Sequence, residues 1–170
     1  MVGRPLGAAG QAGARPLALR IVIAAVGRAR GTPNQALYDG YVGRLPWPVV
    51  LKEIEVKAPM PPGPLKAEEG RAILRAVPEG APLVALDPGG TVLSSEAFAA
   101  RLGAWQDDGV KLLGFAIGGA AGLDAAVLER AALRLSLGAM TWPHLLARVM
   151  LAEQLYRAAS IIAGHPYHRG

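Results

Sequence analysis

An α/β fold built on a mainly parallel sheet is what the sequence predicts, and three observations predict it. Nearly continuous apolar runs, most with branched residues, recur at 19–27, 82–90 and 110–119, the pattern of strands buried on both faces. Between them lie segments whose apolar residues fall three and four apart, as helices laid on a sheet require. Each run also closes on glycines that punctuate the chain. With 170 residues, 52% of them hydrophobic and 18% charged, the chain can bury a core without staples, and chain-wide disorder is excluded.

The elements follow in order. The opening MVGRPLGAAGQAGARPLA is rich in Gly, Ala and Pro and has no apolar period, so residues 1–18 are expected to be a disordered extension before a single domain over 19–170. LRIVIAAVG (19–27) reads as the first strand. In TPNQALYDGYVGRL, Thr32 can cap a helix and Pro33 suits its first position, although Gly40 and Gly43 weaken it. PVVLKEIEV (48–56) is a more polar strand, nearer an edge. KAPMPPGPLK is expected to be a loop and AEEGRAILRAV a short helix with acids in its first turn. PLVALDPGG (82–90) is a third strand running into a turn. SSEAFAARLGAWQ starts at a serine cap and sets Phe98, Leu102 and Trp105 on one helix face. VKLLGFAIGG (110–119) is a fourth strand. Asp124 caps a helix expected to carry Val127, Leu128, Ala131 and Leu135. Pro143 opens the longest helix, with Leu145, Val149, Ala152, Tyr156 and Ala159 on one stripe, stopped by Gly164 and Pro166.

Composition narrows the chemistry. There are no cysteines, which excludes disulfides, thiolate catalysis and cysteine zinc sites. No apolar run approaches the ~20 residues of a membrane-spanning helix, and the stretch 21–27, bracketed by Arg20 and Arg28, makes no convincing signal peptide. A cytoplasmic protein without membrane contact is expected. The net charge of +5 comes from Arg4, Arg15, Arg20, Arg28 and Arg30 in the first 38 residues, which hold no acid. Such a balance suits either a polyanionic partner or a solvated surface.

In parallel α/β folds ligands bind beyond the carboxyl ends of the strands, which directs attention to VGRARGTPN, LDPGGTVL and IGGAAGLD. Gly118, Gly119 and Gly122 either let backbone groups approach a ligand or make a tight turn. Asp87 either grips a hydroxyl or forms an Asx turn. Residues 137–142 are apolar where a loop should be polar, suiting either a cradle for an apolar ring or burial in a dimer. Glu153 and Arg157 stand four apart as an ion pair or a substrate clamp, with Arg148 in another helix sector. His144 is either a base or a hydrogen-bonded residue at a helix start. His165 and His168 on a tail make a poor metal site, and no metal is expected.

Read together, VALDPGG…LSSEAFA, FAIGGAAGL, LSLGAMTWPHLLARVMLAEQLYRA and HPYHRG, in this order and spacing, resemble the ribosomal RNA large subunit methyltransferase H family of the SPOUT class over residues 19–170. The resemblance implies a Rossmann-like domain whose C-terminal part forms a deep trefoil knot. It also implies a homodimer that uses S-adenosylmethionine to methylate N3 of a pseudouridine in helix 69 of 23S rRNA, on the assembled 70S ribosome. By position, Leu86, Gly118, Leu137, Gly138, Ala139, Met140, Thr141 and Trp142 match cofactor-binding positions. Tyr167, His168 and Arg169 are assigned to catalysis at the substrate, and Arg157, Glu153 and His144 to substrate positioning. Two departures are visible: the 18-residue extension, and Arg28 where members commonly carry lysine. The rival expectations are a SPOUT methyltransferase acting on tRNA and a non-catalytic ribosome-binding protein.

Overall fold

A computed structural model describes residues 19–57 and 59–169; the expected extension at 1–18 lies outside them. The described residues form a five-stranded sheet of β1 (Arg20–Val26), β2 (Val49–Ile54), β3 (Leu83–Val92), β4 (Leu112–Ile117) and β5 (Leu133–Ser136), in the order β2-β1-β4-β3-β5. All four pairings are parallel. The helices are α1 (Pro33–Val42), α2 (Pro62–Ala76), α3 (Ser95–Asp107), α4 (Ala125–Arg130) and α5 (His144–Ile162), followed by a 3-10 turn at Pro166–Arg169.

The period-two alternation of β1 distributes its side chains between two apolar layers. Ile21, Ile23 and Ala25 face the layer of α1, α3 and α5, packing with Tyr38, Phe98, Leu102, Leu151 and Leu155. Val22, Ala24 and Val26 face α2 and α4, packing with Ile73, Ala76 and Val127. Burial on both faces explains why β1 carries no polar residue after Arg20. β2, at an edge as its composition suggests, alternates buried and exposed positions more loosely. Thr32 caps α1 by accepting from Gln35 N, Ser94 caps α3 by accepting from Ala97 N, and Asp124 caps α4 by accepting from Ala126 N.

Four local expectations are corrected. The prolines before α2 do not form a loop throughout, because the helix starts at Pro62 and prolines suit a first turn. The helix capped by Asp124 ends at Arg130 instead of reaching Leu135. The guanidinium of Arg130 donates to the carbonyls of Leu74, Val77 and Pro78 at the end of α2, and the chain then pairs with β3, setting Leu133 opposite Val84 and Leu135 opposite Leu86. The turn expected at 87–90 lies within β3 as an irregularity in its pairing with β5, where Leu135 faces both Leu86 and Thr91. On α5 the fully buried residues are Arg148, Leu151, Ala152, Leu155 and Ala158, while Leu145 and Tyr156 of the expected stripe are half-buried.

After β5, at one edge of the sheet, residues 137–143 lead back toward its middle. There α5 packs against α1 and α3, and its first turn meets the carboxyl end of β1.

Candidate functional site

A cavity of about 490 Å³ opens beyond the carboxyl ends of β3 and β4. One wall is formed by Leu86 and Asp87 from β3, and by Gly118, Gly119 and Gly122 from the loop after β4. Gly118 is required by space. A Cβ on Gly118 would stand 2.7 Å from the Gly122 carbonyl carbon and oxygen, a clash that no side-chain rotation relieves. Gly122 has a φ of +80° and closes the turn through a backbone bridge to Gly119.

The opposite wall is the apolar segment that follows β5. Leu137, Gly138, Met140, Thr141 and Trp142 line the cavity, and Ala139 is in the same loop without lining it. Gly138, with a φ of +114°, is pinned by Ser136, whose hydroxyl accepts from Gly138 N at 3.2 Å and donates to Gly138 O at 3.1 Å. Met140 is 74% exposed and Trp142 39%. Of the eight positions over residues 86–142 that the family resemblance implied for a cofactor, seven meet at one cavity. Apolar walls with a few backbone donors and acceptors suit a flat heteroaromatic ring.

The first turn of α5 completes the enclosure with His144 and Ala147. The His144 ring lies against Gly27: a Cβ there would be 2.7 Å from His144 Nε2, and Gly27 has a φ of +94°. One turn further on, the Arg148 side chain is 1% exposed. Its Nη1 donates to Glu53 Oε1 at 2.7 Å and its Nη2 to the Gly27 carbonyl at 3.1 Å. Glu53 Oε1 also accepts from Ala29 N at 2.9 Å. Desolvation pushes the Glu53 carboxyl up, but the Ala29 N–H and the Arg148 guanidinium together outweigh it and hold the group below its usual range. Sequence reasoning missed this pair. The signal was present, since an arginine inside LLARVML has no solvent to reach from a buried helix face.

The residues assigned to the substrate lie elsewhere on α5. Glu153 is nine residues beyond His144, or ~13 Å at ~1.5 Å rise per residue. Its Oε1 accepts from Arg157 Nη2 at 2.6 Å and from the Tyr167 hydroxyl at 3.4 Å. Its Oε2 accepts from Gln154 Nε2 at 2.9 Å, and Gln154 Oε1 accepts from Ser95 Oγ at 2.7 Å. Burial, the Glu153 charge and neighbouring Tyr41 push the Tyr167 phenol above its ordinary value. Arg157 lies over the Tyr167 ring and Arg44 over the rings of Tyr41 and Tyr156, contacts that no local motif signals. The turn at Pro166–Arg169 also carries His168, and Arg169 there is exposed. Glu153 and Tyr41 border a second cavity of about 500 Å³, separated from the first by a shared rim at Leu135, Leu137 and Gly138. The structure therefore brings together Glu153, Arg157 and Tyr167, and keeps them apart from His144.

Among the described residues no group of three or more His, Asp or Glu is placed to hold a metal, and no helix is long and apolar enough to cross a membrane.

Comparison with known proteins agrees with this architecture. A family model described as "Predicted SPOUT methyltransferase" matches residues 19–168. Ribosomal RNA large subunit methyltransferase H of Rhodospirillum centenum is 54% identical over 151 residues, covering 89% of this chain and 99% of that protein. The same-named protein of Paramagnetospirillum magneticum is 53% identical over 151 residues, with the same coverage. In fold, the chain is similar to a probable methylase family protein from Haemophilus influenzae, with a TM-score of 0.55 at 12% identity over 88% of this chain and 69% of that one. The chain belongs to the ribosomal RNA large subunit methyltransferase H family of SPOUT methyltransferases.

Proposed function

We propose that the cavity beyond β3 and β4 holds S-adenosylmethionine and that the enzyme methylates N3 of a pseudouridine in helix 69 of 23S rRNA, on the assembled 70S ribosome in the cytoplasm. One observation carries the reading: Leu86, Gly118 and five residues of 137–142, distant in sequence, line one glycine-walled apolar cavity in a chain of this family. The cofactor supplies, when bound, a methyl group on a positively charged sulfur.

The chain's own residues then have three tasks. Backbone groups at Leu86 and in 137–142 read the edge of the adenine, while Leu137, Met140 and Trp142 exclude water from its faces. Gly118 leaves room for the rest of the molecule. At the substrate, N3 of a uracil-type ring loses its proton as it accepts the methyl, and neighbouring groups that take the proton or steady the ring anion lower the barrier. Tyr167, His168 and Arg169 are assigned that work, with Glu153 and Arg157 holding Tyr167 in place and His144 positioning the substrate from the pocket wall.

A homodimer is part of the reading. The tail rests on its own α5 about two and a half turns from its own His144, so a partner's tail is the better supply for each cavity in a C2 pair. The exposed Met140 and Trp142 would be covered by that partner or by rRNA. The knot expected of the family is assigned to the passage of 137–143 and α5 back from the edge strand β5 to the middle of the sheet.

The test of the reading is the product. Large-subunit RNA methylated by the purified enzyme is digested to nucleosides and separated by mass spectrometry. N3-methylpseudouridine supports the assignment, and a methyl on a ribose or on another base overturns it.

A further inference from the structure

Arg148 is the largest fully buried side chain of the described residues, and nothing in the transfer chemistry above uses it. Its contacts explain where it acts. The guanidinium joins three segments: α5, which carries it; the carboxyl end of β1, through the Gly27 carbonyl at 3.1 Å; and β2, through Glu53 at 2.7 Å. Glu53 passes the restraint on to the Ala29 N–H, so one ion pair fixes Gly27 and Ala29, the residues on either side of Arg28. His144 and Ala147, one turn before and one residue before Arg148, are cavity wall. Gly27, the residue that Arg148 grips, is the residue on which the His144 ring rests.

The arrangement is costly for a purely structural bolt. Among the described residues Arg148 Nε and the Tyr38 hydroxyl are both buried without a hydrogen-bond partner. Apolar side chains of similar volume often serve stability as well as or better than a buried ion pair, whereas directed donors fix relative position. We infer that Arg148, with Glu53 as its counter-charge, is a positioning residue of the cofactor cavity, locking the first turn of α5 and its wall residues His144 and Ala147 onto the end of β1. The effect on cofactor binding rests on the reading of the cavity given under Proposed function; the locking itself does not.

The test uses the full chain and the double variant Arg148→Met/Glu53→Gln, which removes both charges together. Two readouts are taken. Hydrogen–deuterium exchange is expected to quicken by about tenfold or more in 27–31 and 142–147 while β1 and β4 stay protected, as local loosening without global unfolding requires. Isothermal titration with S-adenosylmethionine is expected to show binding weakened by about tenfold or more, since small displacements of a site wall have large effects. A structural bolt alone would lower the melting temperature and leave both readouts unchanged in the folded protein, and that result overturns the inference. Wild-type protein that fails to bind S-adenosylmethionine overturns the cavity reading, and the exchange data still decide the locking. If the double variant does not fold, Glu53→Asp, which keeps the charge but withdraws it from Arg148 and Ala29, is read by the same two measurements and the same outcomes.

Discussion

The Tyr167 ring meets the Tyr156 ring edge-on, with centroids 4.6 Å apart. This contact, together with the Tyr167 hydroxyl on Glu153, seats the turn at Pro166–Arg169 on the helix that also supplies a wall of the first cavity. Terminal segments are ordinarily tolerant of change. Here an aromatic pair, a carboxylate and the Arg157 guanidinium over the same ring hold Tyr167 in place.

Tyr167→Ala should therefore damage turnover and spare cofactor binding. Loss of the ring contact, worth about 0.5–1.5 kcal/mol in such pairs, releases the tail, so kcat/KM on ribosomes should fall by about tenfold or more. The dissociation constant for S-adenosylmethionine should stay within about twofold, because Tyr167 does not line the cavity. Tyr167→Phe, which keeps the ring contact but removes the hydroxyl assigned to the substrate, should leave the tail seated and still lower kcat/KM, by less than Tyr167→Ala. A large loss of cofactor affinity in Tyr167→Ala, measured by titration calorimetry, would contradict the separation of tail and cavity.

Gly118→Ala should do the reverse. The added carbon meets the Gly122 backbone at 2.7 Å, so the loop must move. Calorimetry should show S-adenosylmethionine binding weakened by about tenfold or more, with far-ultraviolet circular dichroism unchanged. Unaltered affinity would mean that the glycine loop is not a wall of the cofactor site.

Tyr38→Phe tests a buried group from the stability side. Tyr38 is 3% exposed, and its hydroxyl has no hydrogen-bond partner among the described residues. Burial pushes the phenol up from 10.0 to about 12, against a smaller opposing pull from Arg148. Between these values the unfolded chain has released a proton that the folded chain keeps. The contribution is thus fully present below pH 10 and is lost as pH rises toward 12, by at most about 1.4 kcal/mol per pH unit. Urea titrations across this range should show a shallower alkaline decline for Tyr38→Phe than for the wild type. At neutral pH the variant should be as stable, or more stable by about 1 kcal/mol, since an unpaired buried hydroxyl is removed. A loss above about 1 kcal/mol at neutral pH would reveal a partner for that hydroxyl.

What the sequence made legible and what it hid follow from the range of the forces involved. β1 was readable because both of its faces are buried, which leaves an uninterrupted apolar run. The caps at Thr32, Ser94 and Asp124 were readable because each bonds within three residues. β5 was hidden: Val127, Leu128, Ala131 and Leu135 keep a helical spacing, and only pairing with β3, some fifty residues earlier, makes 133–136 a strand. The partner of Arg148 was hidden for the same reason, Glu53 lying 95 residues away. At the site, the apolar oddity of 137–142 and the glycines after β4 could be noticed singly. Their convergence, and the rings of Tyr41 and Tyr156 under Arg44, depend on tertiary contacts that no local pattern encodes.

The most direct measurement is transfer of a labelled methyl group from S-adenosylmethionine to 70S ribosomes that lack the modification, with free 50S subunits and bulk tRNA in parallel. Label confined to 23S rRNA, and greatest with 70S particles, is the expected result. Label in tRNA, or none in any RNA while the cofactor still binds, would contradict the assignment of this enzyme to the assembled ribosome.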